Sequence, residues 1–205
     1  MLLDADDSQL ILVDYQARLL PAIHDHAAVL ANAVRLGEMA RLLSVPVWGT
    51  EQNPDKLGAN VPEVRALCAR TLAKMHFSAV ADGLAEALRP AAPPPRQGGA
   101  GNARSLPRHL QKAPPAPAAG RNTLVLAGCE AHVCLLQTAL DLLDEEFEVW
   151  VVTDACGSRT ERNRDAAFDR LAAAGAELLT TEMVAFEWLR TAQHAQFRAV
   201  QALIK

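Results

Sequence analysis

Cys134 stands just after an apolar run and a short turn, a position that can convert a thiol into a nucleophile. Residues 123–127, Thr-Leu-Val-Leu-Ala, read as a fully buried strand. Gly128-Cys129-Glu130-Ala131-His132-Val133-Cys134 follows, and then Leu135 to Leu143 with apolar residues at helical spacing. The turn therefore delivers Cys134 to the first turn of a helix, where free backbone N–H groups and the positive dipole end favour an anion. A thiolate there is reactive, because its pKa is lowered and it can attack an electrophile. The plain alternative is that Cys134 is a small core residue on an amphipathic helix. Two more residues bear on the choice. Asp14 ends the apolar run Leu10–Val13, and Lys74 ends the weaker extended segment Leu72–Lys74. In a parallel sheet these strand ends share one edge, so an acid, a base and a thiol converge in one cleft. Taken singly, Asp14 is also a plausible helix cap and Lys74 a solvated surface lysine.

The elements that must position these side chains alternate along the chain. After the first strand, Pro21 opens a helical stretch to about Leu43, and Val45–Gly49 reads as a second strand. Pro62 begins a short helix through Leu67, and Val80 to Leu88 is helical. Beyond the Cys134 helix come a strand at Glu148–Thr153, a helix at Arg162–Ala174 stopped by Gly175, and a strand at Ala176–Thr180. Helical segments near Val184–Leu189 and Ala195–Ile204 complete the chain. The expected fold is α/β: one doubly wound, three-layer, Rossmann-like domain over 1–205, with a central, mostly parallel sheet.

Residues 90–120 interrupt the alternation. They hold eight of the twelve prolines, as in Pro93-Pro94-Pro95, and no acidic residue lies between Glu86 and Glu130. Prolines remove backbone donors and fix φ, so this Pro/Gly/Ala-rich basic stretch reads as a loop insertion, with a short helix at Ser105–Gln111. It serves as a solvated spacer or as a contact for an anionic partner.

Half of the residues are hydrophobic, and no run approaches a membrane span. The acidic start Met1–Asp7 resembles neither a signal nor a transit peptide, which points to a cytoplasmic protein. A formal net charge of −4 argues against a nucleic-acid surface. The four cysteines, Cys68, Cys129, Cys134 and Cys156, read as thiols rather than a disulfide framework. Cys129, His132 and Cys134 match no zinc spacing, so no metal site is expected.

With these residues in place, the chain resembles the isochorismatase-like cysteine hydrolases, which include nicotinamidases and N-carbamoyl amidohydrolases. The resemblance rests on Ile11-Leu12-Val13-Asp14-Tyr15-Gln16, Lys74-Met75-His76-Phe77-Ser78-Ala79, the Gly128–Cys134 turn and Val151-Val152-Thr153-Asp154-Ala155. Thr50-Glu51-Gln52 after the second strand points to the isochorismatase domain-containing branch. The resemblance implies Asp14, Lys74 and Cys134 as a catalytic triad. It also implies a cis peptide between Cys129 and Glu130, and an oxyanion hole from the N–H groups of Glu130 and Cys134. Nicotinamidases carry an Asp-x-His metal motif where this chain has Thr50-Glu51-Gln52-Asn53, so no cofactor is implied. Retention of Cys134 favours hydrolysis of an amide or related C–N bond in a small molecule, through a thioester. On that reading Asp14→Asn and Lys74→Met each raise the Cys134 pKa or slow its turnover. Tyr15, Glu51, Gln52, His76, Phe77 and His132 are the substrate-pocket candidates, and a homo-oligomer is the implied assembly. The competing classes are a weakly active binding or scaffold protein on the same fold and a protein acting on nucleic acid.

Overall fold

The strands form where β-branched and leucine residues run together. A computed structural model describes residues 1–89 and 120–205. The readings for the 90–119 stretch, including the helix at Ser105–Gln111, lie outside the described residues. The strands are β1 (Ser8–Val13), β2 (Val47–Gln52), β3 (Arg70–Lys74), β4 (Thr123–Gly128), β5 (Glu148–Val152) and β6 (Glu177–Leu179). They make a single sheet in the order β3-β2-β1-β4-β5-β6, and every pairing is parallel. β1 and β4, at the centre, are buried along their whole length, whereas β3 is largely exposed until Lys74. That edge position explains its weak apolar signal, because an edge strand has less surface to bury.

The helices are α1 (His26–Leu42), α2 (Pro54–Leu57), α3 (Pro62–Arg65), α4 (Leu84–Leu88), α5 (Leu136–Asp144), α6 (Glu161–Ala173), α7 (Thr181–Leu189) and α8 (Phe197–Ile204). α1 packs with α7 and α8, and α5 packs with α6, which gives the three layers of a doubly wound fold. Thr160 and Thr180 cap α6 and α7, each accepting the N–H three residues on, from Asn163 and Met183. None of the helices among the described residues is long and apolar enough to cross a membrane.

Four boundaries differ clearly from the sequence reading. β2 begins at Val47 and runs through Gln52 rather than ending at Gly49, so Thr50, Glu51 and Gln52 lie within the strand. The stretch from Pro21 is not one helix: Leu20–Ala22 is a 3-10 turn, and α1 starts only at His26, after Asp25 at φ 51°. Residues 80–88 split at Gly83, whose φ of 95° breaks the helix into a 3-10 turn and α4. The Cys134 turn is π-helical over Ala131–Leu135, with the Leu135 N–H donating to the Glu130 carbonyl at 3.3 Å before α5 begins.

Two local features bring β1 and β4 together at their carboxyl ends. A Cβ built on Gly128 would stand 2.5 Å from both the Cβ and the carbonyl oxygen of Val13, so only glycine fits there. Immediately beyond, the Cys129 N–H donates to the Val13 carbonyl at 2.9 Å, and the Cys129–Glu130 peptide is cis.

Candidate active site

The strand order reverses between β1 and β4, and in a doubly wound sheet ligands bind in the crevice at such a point. Asp14 leaves β1 there and Cys134 follows β4. Asp14 has φ 54°, a left-handed conformation in which Asp is among the better-tolerated non-glycine residues. The turn takes its carboxylate out of the strand direction. Oδ1 accepts the Thr50 hydroxyl at 2.7 Å, and Oδ2 faces Lys74 Nζ at 2.8 Å. Both side chains of this ion pair are fully buried. Oδ2 accepts no aligned hydrogen bond among the described residues, so its contact with Lys74 is that of an ion pair.

Lys74 reaches the site from β3. Besides Asp14, its ammonium donates to Gln52 Oε1 at 2.8 Å, to the Phe77 carbonyl at 3.0 Å and more weakly to the His76 carbonyl at 3.4 Å. A buried cation is costly unless paired and hydrogen-bonded, and here it is both. The loop that supplies those carbonyls is pinned by Asp82. Its Oδ2 accepts the N–H groups of Met75 and His76 at 3.1 and 3.0 Å, and these bonds hold its carboxyl below the usual range against the opposing effect of burial.

Cys134 is only 5% exposed, and the charges of both members of the ion pair act on its thiol. Burial pushes its thiol up to about 12, the Asp14 carboxylate pushes the same way, and Lys74 pulls partly back. The lowered pKa expected from a helix start is therefore corrected. A helix end contributes about 0.3–1 kcal/mol, less than one pKa unit. Burial beside an anion outweighs it, so the resting sulfur keeps its proton.

The pocket candidates divide. Tyr15 is buried and donates to the Ala155 carbonyl at 2.5 Å, so it belongs to the core rather than a pocket wall. Thr50 and Gln52 share a face of β2 by the two-residue alternation of a strand, and both serve the ion pair. Glu51 points to the other face, where its carboxylate accepts the Asn60 N–H at 2.8 Å. The sequence reading placed Tyr15, Glu51 and Gln52 as pocket lining; in the structure each is hydrogen-bonded within the protein. His76 and Phe77 touch Lys74 through their main chain and turn their side chains outward; the His76 ring meets Asp82 at 3.1 Å. His132, two residues before Cys134 in the same turn, has its Nδ1 3.0 Å from the Ser158 hydroxyl.

Thr50, Gln16, Ser158 and Arg159 were not singled out from sequence as parts of this neighbourhood. Arg159 Nε meets Glu130 Oε1 at 2.8 Å, next to the cis peptide. The Glu130 N–H finds no acceptor among the described residues. Polar Thr50 and Gln52, two apart at the end of a buried strand, were a readable signal; the Arg159 pairing across the β5–α6 loop was not. Two surface clefts, of about 530 and 440 Å³, lie by Trp48 and Arg70 and by Met183 and Phe186. Neither holds these groups, and chemistry rather than cleft size locates the site.

The isochorismatase domain profile matches residues 110–183. The chain is 34% identical to isochorismatase domain-containing protein 2 of Rattus norvegicus over 200 residues, covering 98% of this chain and 82% of the relative. Its fold is similar to that of the MAR1 ribonuclease of Caenorhabditis elegans, with a TM-score of 0.81 and 29% identity over 100% of this chain and 92% of the other. It is also similar to YcaC of Escherichia coli, described as an octameric hydrolase of unknown specificity. There the TM-score is 0.73 and the identity 26%, over 98% of this chain and 95% of the other.

Proposed function

The chain belongs to the isochorismatase domain family, and on that premise we propose that it is a hydrolase of a small amide or related C–N compound, with Cys134 as nucleophile. The observation that carries this reading is the fully buried Asp14–Lys74 pair, 2.8 Å apart, acting on the thiol of Cys134. In the resting enzyme the proton sits on sulfur. As the substrate carbon approaches, Asp14 Oδ2 takes that proton and Lys74 stabilises the developing thiolate. The S–C bond forms, and the negative charge passes to the carbonyl oxygen. The N–H groups of Glu130 and Cys134 are the proposed donors to it. Asp14 then returns the proton to the leaving nitrogen as the C–N bond breaks, which leaves a thioester. Water attacks the thioester with Asp14 as its base, and the carboxylic product departs as Cys134 regains its proton. Self-association belongs to the same reading and is supported by the octameric neighbour.

A second reading, a nuclease, draws on the likeness to a protein named a ribonuclease. The formal charge of −4 opposes it, because phosphate backbones are held chiefly by Lys and Arg. One experiment addresses both. Ammonia or amine release from a panel of small amides, and cleavage of a labelled single-stranded RNA, are measured for wild type, Cys134→Ala and Cys134→Ser, with intact-mass detection of an acyl adduct. The expected result is amide turnover with an adduct on Cys134, lost by about a thousandfold or more in Cys134→Ala. Undiminished turnover in that variant, or RNA cleavage without amide turnover, would overturn the proposal.

A further inference from the structure

Resting on the reading of Cys134 as nucleophile, we infer that Gln52 is a positioning residue that fixes the Lys74 ammonium toward Asp14 and Cys134, and that Gln16 in turn holds Gln52 in place. An ammonium has three protons to place. Lys74 faces Asp14 Oδ2 as an ion pair at 2.8 Å and places its hydrogen bonds on Gln52 Oε1 at 2.8 Å, the Phe77 carbonyl at 3.0 Å and the His76 carbonyl at 3.4 Å. Gln52 is the neutral side-chain member of that set. Its amide has one sense only, because Nε2 donates to the Met75 carbonyl at 2.8 Å; a flipped amide would turn N–H groups toward the cation. With both amide ends engaged and the side chain buried, Gln52 has no freedom to serve as a general substrate contact.

Gln16 explains why Gln52 is so firmly held. β1 pairs with β2 only as far as Val13 opposite Thr50, since Asp14 at φ 54° turns the chain out of the ladder. Gln52 lies two residues beyond that last pair. The side chain of Gln16 replaces the missing strand: Oε1 accepts the Gln52 N–H at 2.9 Å, and Nε2 donates to the Gln52 carbonyl at 2.9 Å. The same Nε2 reaches the Gly58 carbonyl at 2.6 Å, which ties in the loop after α2. Gln16 is fully buried, so these bonds form without competition from water. The kink that aims Asp14 into the site and the glutamine that repairs the ladder are thus two residues apart in sequence.

The test is the rate at which iodoacetamide labels Cys134, mapped by peptide mass, for wild type, Gln52→Met, Lys74→Met and the double variant. Losing the acceptor that aims the ammonium is expected to slow labelling about threefold at pH 8 in Gln52→Met, less than the loss of Lys74 itself. In the Lys74→Met background the same change should do nothing further, since a residue that acts only through Lys74 has nothing left to act on. Equal slowing in both backgrounds, or none in the wild-type background, overturns the inference while a slow Lys74→Met leaves the hydrolase reading standing. A Lys74→Met protein that labels as fast as wild type overturns both. Gln52→Asn, which keeps an amide but shortens its reach, replaces Gln52→Met if that variant does not fold. Melting temperatures separate loss of packing from loss of Lys74 orientation.

Discussion

Asp14→Asn and Lys74→Met should move the Cys134 thiol in opposite directions while both abolish turnover. The thiol is raised from 9.0 to about 12 by burial first and Asp14 second, with Lys74 opposing. That rise of three units corresponds to about 4 kcal/mol. A neighbouring unit charge in an effective dielectric near 20 contributes a few kcal/mol, or roughly two pKa units. Asp14→Asn removes the anion and leaves the buried Lys74 ammonium, which favours the Cys134 thiolate, unopposed. A fall of about two units makes thiolate about a hundredfold more abundant at pH 8. Lower basicity costs about tenfold in intrinsic nucleophilicity, so iodoacetamide labelling should gain about tenfold. Lys74→Met leaves the anion unopposed, and labelling should fall by about the same factor. The two variants should therefore differ by about a hundredfold in labelling, although neither hydrolyses substrate. Breaking a buried pair costs about 3–5 kcal/mol of stability, so labelling is read at low temperature on protein shown to be folded by circular dichroism. Slower labelling of Asp14→Asn than of wild type would refute the reasoning. The sequence reading expects each substitution to raise the Cys134 pKa or slow its turnover; Asp14→Asn meets that expectation through turnover, with the thiol pKa falling.

Stability should fall at alkaline pH. Cys134 and Cys156 are held at about 12 and Cys68 at about 11, burial being the largest cause for each, against an ordinary 9.0. Above pH 9 the unfolded chain releases thiol protons that the folded chain keeps. The stabilisation is therefore complete below pH 9 and is lost as pH rises toward 11–12, by about 1.4 kcal/mol per pH unit for each well-buried thiol. Urea unfolding at pH 8, 9 and 10 measures this, with Cys156→Ala expected to flatten the slope; equal stability at all three values would contradict it. Gly128→Ala should cost about 1–3 kcal/mol or more, because its Cβ meets Val13 at 2.5 Å. It should also slow Cys134 labelling by splaying the two strand ends. Gly175→Ala, at φ 100° with nothing within 4 Å, should lose stability without changing labelling.

Much of the arrangement was legible because it is local. Apolar runs of four residues fix β1, β4 and β5, since a strand buried on both faces has few other compositions open to it. Alternation of such runs with helical spacing demands a parallel sheet, and a parallel sheet places the residues after its strands on one edge. Asp14, Lys74 and Cys134 could thus be gathered from sequence alone. Tertiary structure decided what that gathering does to them. Burial cannot be read from a residue type, so the sequence left open a solvated Lys74 and favoured an acidic Cys134 thiol. Packing makes the first a fully enclosed cation and the second a thiol held at about 12. Gln16 and Gln52 join only when β1 stops pairing two residues before β2 ends, a mismatch created by the left-handed turn at Asp14. Glu51, between two residues that face the ion pair, is turned away by the pleat and spent on Asn60. A one-dimensional pattern names the groups and the edge they share. Their charge states and orientations follow from which neighbours exclude water around them, and those neighbours come from residues far apart in the chain.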